Sequence, residues 1–88
     1  MDVLVIYKPM SERARLAEEF MHDFKRLHSD INLQTIDADS VEGVQKLELN
    51  GLYQTPAILV TRQDGQVIKS WAGDVLPLMS EVVGYVTS

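Results

Sequence analysis

Val3-Leu4-Val5-Ile6-Tyr7 is an unbroken apolar run, rich in β-branched and aromatic residues. Such a run fits a central strand buried on both faces, as in a parallel pair. Lys8-Pro9 ends it. From Ser11 to about His28 the period turns helical, with Ala14, Leu16, Ala17, Phe20, Met21, Phe24 and Leu27 recurring at three- and four-residue steps. Ser11 is the expected N-cap, and Glu12 suits the positive end of the helix. Lys25, Arg26 and His28 fall where cations are favoured, and Ser29-Asp30 breaks the pattern.

Ile31 to Ile36 reads as a shorter, partly alternating strand at a sheet edge. Strand, helix and strand make a β-α-β unit with the right-handed crossover. Asp39 and Glu42 have capping-box spacing before a short helix over Val41 to Asn50. That helix is expected to turn Val44, Leu47 and Leu49 inward and to stop at Gly51. Pro56, which lacks an N–H, can open the strand Ala57 to Thr61 and holds Thr55 extended. Asp64-Gly65 marks a hairpin into a strand over Gln66 to Trp71. The last helix is expected from about Val75 to Val86, with Gly73-Asp74 as loop and N-cap and Pro77 in the first turn. Val75, Met79, Val82, Val83 and Val86 would share its inner face. The order is β-α-β-α-β-β-α, with no internal repeat or linker.

The 88 residues suit one small domain, 1–88. A chain 45% hydrophobic and 24% charged is expected to fold as a globule. A formal net charge of −5 argues against nucleic-acid or anionic-membrane partners. The apolar runs are too short to span a bilayer, and Asp2 stands where a leader would be basic, so the expected setting is cytoplasmic. The chain has no cysteine, which rules out disulfides, thiolate catalysis and thiolate metal sites.

The element order resembles the minimal fold of the thioredoxin and glutaredoxin superfamily. Ile6-Tyr7-Lys8-Pro9 resembles the end of a glutaredoxin first strand, and Thr55-Pro56 resembles its cis-proline corner. Gly73-Asp74 resembles the element that helps glutaredoxins hold glutathione. The resemblance implies a mixed four-stranded sheet of order 2-1-3-4, with the hairpin strands antiparallel to the first pair. It also implies a cis bond at Pro56. The departure is Ser11-Glu12-Arg13-Ala14, which stands where glutaredoxins carry Cys-x-x-Cys. Disulfide exchange needs sulfur at both centres, so redox activity, and with it an enzyme role, is rejected. A second resemblance is to the clock protein KaiB and its relatives, a cysteine-free thioredoxin-like family that works by binding other proteins. It rests on Pro9-Met10-Ser11-Glu12-Arg13-Ala14, Gln54-Thr55-Pro56 and Gly73-Asp74. It offers a precedent for a protein-binding module on this fold.

Each singled-out residue has a plainer reading beside the functional one. Thr55 could dock an extended peptide or glutathione through its backbone, or Pro56 could simply start a strand. Ser11 as a nucleophile would need a base, yet His22 lies about three turns further along the same helix, so capping explains it better. Tyr7 sits where some glutathione transferases have a thiolate-stabilising tyrosine, and core packing at the strand end is favoured. Asp37, Asp39 and Glu42 lack the glycine and spacing of a calcium loop, and His22 with His28 does not share one helix face, so no metal and no cofactor are expected. Trp71 and Tyr53 could flank a cleft, or Trp71 could cover the sheet. Lys8, Arg13 and Arg15 could form an anion-favouring patch at the helix start, or plain solvated charge.

The expected function is a non-redox module binding a protein or peptide partner through Lys8, Ser11, Arg13, Thr55, Pro56, Gly73 and Asp74. The alternatives are a binder of glutathione or another small anion without thiol chemistry, and an inactive homologue serving as a subunit of an assembly. In the last case the edge strand Ile31 to Ile36 would pair between copies.

Overall fold

A computed structural model describes residues 1–73 and 75–87. The elements are β1 (Asp2–Tyr7), α1 (Ala14–Leu27), β2 (Asn32–Asp37), α2 (Val41–Leu49), β3 (Ala57–Thr61), β4 (Val67–Ala72) and α3 (Met79–Thr87). The strands form one mixed sheet of order β2-β1-β3-β4. β1 pairs parallel with β2 and antiparallel with β3. β4 lies antiparallel to β3, so it points the same way as β1. Of the two hairpin strands only β3 opposes the first pair, because the hairpin turn reverses the chain a second time.

Alternation along β1 builds two apolar layers. Val3, Val5 and Tyr7 join Ile58 and Val60 beneath α1 and α3, where Ala17, Met21, Phe24 and Val82 close the core. Leu4 and Ile6 join Leu59 on the opposite face, covered by Leu47 and Leu52 from α2 and the turn after it. Tyr7 is thus a core residue. Trp71 packs beside the α1–α3 layer and meets the Tyr85 ring edge-on at 5.7 Å, so it covers the sheet.

Several boundaries differ from the sequence expectation. Ser11 does not cap α1. Its N–H and its hydroxyl both donate to the Lys8 carbonyl, at 3.1 and 2.7 Å, and its own carbonyl accepts from the Ala14 N–H. The chain spends those groups on a turn, so α1 begins at Ala14 with Arg13 as an N-cap lacking a side-chain bond. α2 is capped by Ser40, not Asp39: the Ser40 hydroxyl accepts from the Gly43 N–H at 3.0 Å. Asp39 instead donates its own N–H to the Asp37 carboxylate at 2.8 Å, a local Asx turn. α3 starts at Met79 rather than Val75. Pro77 disfavours helical geometry at the residue before it. The start falls after Leu78, whose N–H donates to the Glu81 carboxylate at 3.2 Å, the reaching-back half of a capping box.

The inner face of α2 also departs from the pattern. Gly43 is buried against the backbone at Asp37, and a Cβ there would collide with the Asp37 carbonyl oxygen. The helix therefore settles on Gly43 and Leu47, one turn apart, which leaves Val44 and Leu49 exposed. Its far end closes as expected at Gly51, with φ +64°. Leu52 N–H donates to Leu47 O at 2.9 Å and Gly51 N–H to Glu48 O at 3.2 Å, the Schellman pattern.

Candidate functional site

Strand register decides which loops meet. Tyr7 stands opposite Asp37, Ile6 opposite Ala57, and Ala57 opposite Ala72. The loops after β1, after β2, before β3 and after β4 therefore leave the sheet at one end. That end gathers Lys8, Ser11, Arg13, Thr55, Pro56 and Gly73. Asp74, the remaining residue of the set, lies outside the described residues.

Two contacts tie these loops together. The Arg13 guanidinium donates to the Thr55 carbonyl at 3.3 Å, linking the turn before α1 to the corner before β3. The Gly73 N–H donates to the Pro56 carbonyl at 3.2 Å, linking the end of β4 to the same corner. The Thr55–Pro56 peptide is cis. Pro56 is wholly buried, so its ring offers a partner nothing, while Thr55 is half-buried. Gly73 is fixed there by its φ of +116°; the Gln54 side-chain oxygen that a Cβ would meet at 2.5 Å ends a flexible, exposed chain and can swing aside.

The three basic residues do not converge into one anion-binding patch. The Lys8 ammonium faces Asp39 at 3.9 Å, Arg15 bonds Glu19 one turn along α1 at 3.1 Å, and Arg13 turns to Thr55. Each side chain finds a nearby acceptor of its own, so their charges are spread. A shallow recess of about 350 Å³ is lined by Lys8, Pro9, Met10, Ser11, Asp37 and Asp39. Its carboxylates make it a poor receptor for an anion. Among the described residues no group of three or more His, Asp or Glu is placed to hold a metal ion. None of their helices is long and apolar enough to cross a membrane.

Sequence reasoning put Tyr53 beside a cleft but missed two other large apolar side chains exposed at this end. Met10 is 99% exposed, Tyr53 92% and Val75 86%. They sit on three separate loops, after β1, before β3 and after β4. Val75 had a helical spacing that pointed it inward. The available signal was its place between a glycine and a proline, where a helix is slow to start.

The chain matches solved structures along nearly its whole length. Thioredoxin 1 of the thermophilic eubacterium Thermosipho africanus superposes with a TM-score of 0.67 at 15% identity, over 99% of this chain and 91% of that one. The fold is thioredoxin-like. Thioredoxin O2 of Arabidopsis thaliana in its oxidised state gives 0.67 at 10% identity, over 98% and 71% of the two chains. A chain from a structure addressing thiol resolution in yeast mitochondrial 1-Cys peroxiredoxin gives 0.68 at 14%, over 97% and 74%. No protein-family model and no curated protein matches the sequence. Against that thioredoxin-like frame the absence of cysteine is decisive for one chemistry: this chain cannot exchange thiols and disulfides.

Proposed function

We propose that this chain is a non-redox thioredoxin-fold module that docks a protein or peptide partner on the end of the sheet carrying Thr55 and Gly73. One observation carries the reading: three large apolar side chains, Met10, Tyr53 and Val75, stand almost fully in solvent on loops that the strand register brings together. Large apolar groups exposed at one end of a fold mark interaction surfaces more often than ones scattered over it do. The half-buried Thr55 backbone lies at the same end and offers main-chain bonding to an extended segment. Arg13 already donates to the Thr55 carbonyl, so an incoming strand competes with that contact. The KaiB resemblance supplies a precedent for binding without cysteine. The dispersed basic residues weigh against glutathione or another small anion. The reading goes with a cytoplasmic setting.

The test is selection of binders from a random peptide library, followed by amide NMR mapping on the intact chain. Selected peptides are expected to shift Met10, Tyr53, Thr55 and Gly73, and Tyr53→Ala with Val75→Ser should weaken them about tenfold, as loss of central apolar anchors does. Peptides that map elsewhere, or a library that yields none, reject the reading. Saturable shifts with reduced glutathione at Lys8 and Thr55 would replace it with the small-ligand one.

A further inference from the structure

The loop after β1 carries the thioether of Met10, whose redox chemistry the proposed function does not use. The turn is closed by the two bonds from Ser11 to the Lys8 carbonyl, and it throws the Met10 side chain outward to 99% exposure. Of the other thioethers, Met1 is 39% exposed at the first residue, and the two inside the fold are shielded. Met21 is 7% exposed, and its sulfur already accepts a bond from the Thr35 hydroxyl at 3.2 Å. Met79 is half-buried against the core beneath α3. No thiol is present to consume an oxidant first. Susceptibility of methionine to oxidation follows access to the sulfur lone pair, and that access differs sharply between Met10 and Met21.

We infer that Met10 is a site of reversible S-oxidation by hydroperoxides. The Met10 sulfur lone pair attacks one peroxide oxygen, and an S–O bond forms as the O–O bond breaks. Hydroxide leaves and takes the proton from the transferred oxygen. Sulfur is oxidised by two electrons to the sulfoxide, and hydrogen peroxide is reduced to water. Methionine sulfoxide reductases reverse the change. Resting on the docking surface proposed above, the modification also regulates that surface: it turns an apolar anchor into a strong dipole at the end of the sheet that carries Tyr53 and Val75 and so weakens partner binding.

The experiment treats the intact chain with hydrogen peroxide and follows each methionine by peptide mass mapping. Met10 sulfoxide is expected to accumulate about tenfold or more ahead of Met21, with Met79 behind Met10 as well. Met10→Leu should abolish the first mass increment, and a sulfoxide reductase should restore the native mass. Oxidation at equal rates, or Met1, Met21 or Met79 reacting first, overturns the site. The regulatory part is read separately, by comparing one selected peptide on native and Met10-oxidised protein. Equal affinity overturns the regulation while leaving the site, and failure to select any peptide touches only the docking surface.

Discussion

Gly43 shows how a single hydrogen atom in place of a side chain sets a helix on its sheet. Alanine is the better helix former by about 1 kcal/mol. Here, however, its Cβ would drive into the Asp37 carbonyl oxygen, a backbone atom that cannot swing aside. Overpacking of this sort costs about 1–3 kcal/mol, so the steric term is expected to win. Gly43→Ala should lower stability in urea unfolding despite the gain in propensity, and a stabilised variant would mean that α2 sits further from the sheet. The same residue explains a misreading. Apolar spacing gave Val44 and Leu49 an inward face, but the closest approach belongs to a glycine, to which hydrophobic periodicity is blind. Ser11 and Asp39 were misread for a related reason. Each has a side chain able to cap and stands one or two residues ahead of the true N-cap, engaged in a local turn that no spacing rule distinguishes from a cap.

At the level of elements, the strands were legible because their signals are redundant, and their order in the sheet came from the family resemblance. β1 is a long apolar run, β3 follows a proline, and the hairpin carries Asp64-Gly65. Helix starts were not, since they depend on which of several polar side chains reaches a given N–H. Capping of α2 gives a direct check. Ser40→Ala should cost about 1 kcal/mol, the usual loss of an N-cap, while Asp39→Ala should cost clearly less. Chemical denaturation of the two variants decides between them, and a larger loss for Asp39→Ala would place the cap one residue earlier. The candidate site was legible only in part. Lys8, Ser11, Arg13, Thr55 and Gly73 fall on loops at one end of the sheet, while the exposure of Met10 and Val75 was not read, because exposure in a loop leaves no periodic trace.

For the molecule as a whole, the two apolar layers share the same strands. Val3 and Val5 face one layer, Leu4 and Ile6 the other, all on β1. Loosening either layer must loosen the strand between them. Phe24→Ala beneath α1 should cost about 3–5 kcal/mol and Leu59→Ala beneath α2 about 2–5 kcal/mol. Against a total near 5–15 kcal/mol for domains of this kind, both losses are large. Each variant should still unfold in a single transition by circular dichroism and by Trp71 fluorescence. Two separated transitions in either variant would show that the faces unfold independently.

The position of β1 has a bearing on how the protein is made. Of the four strands, the first to be made is an inner strand of the finished sheet, flanked by β2 and β3. Its antiparallel neighbour arrives only when Ala57–Thr61 has been synthesised. Until then a nascent β-α-β unit exposes one side of its most apolar strand, a surface that invites pairing with the wrong chain. Translation that stalls between α2 and β3 would leave a sticky fragment, and such fragments should depend on chaperones in a way that the completed chain does not.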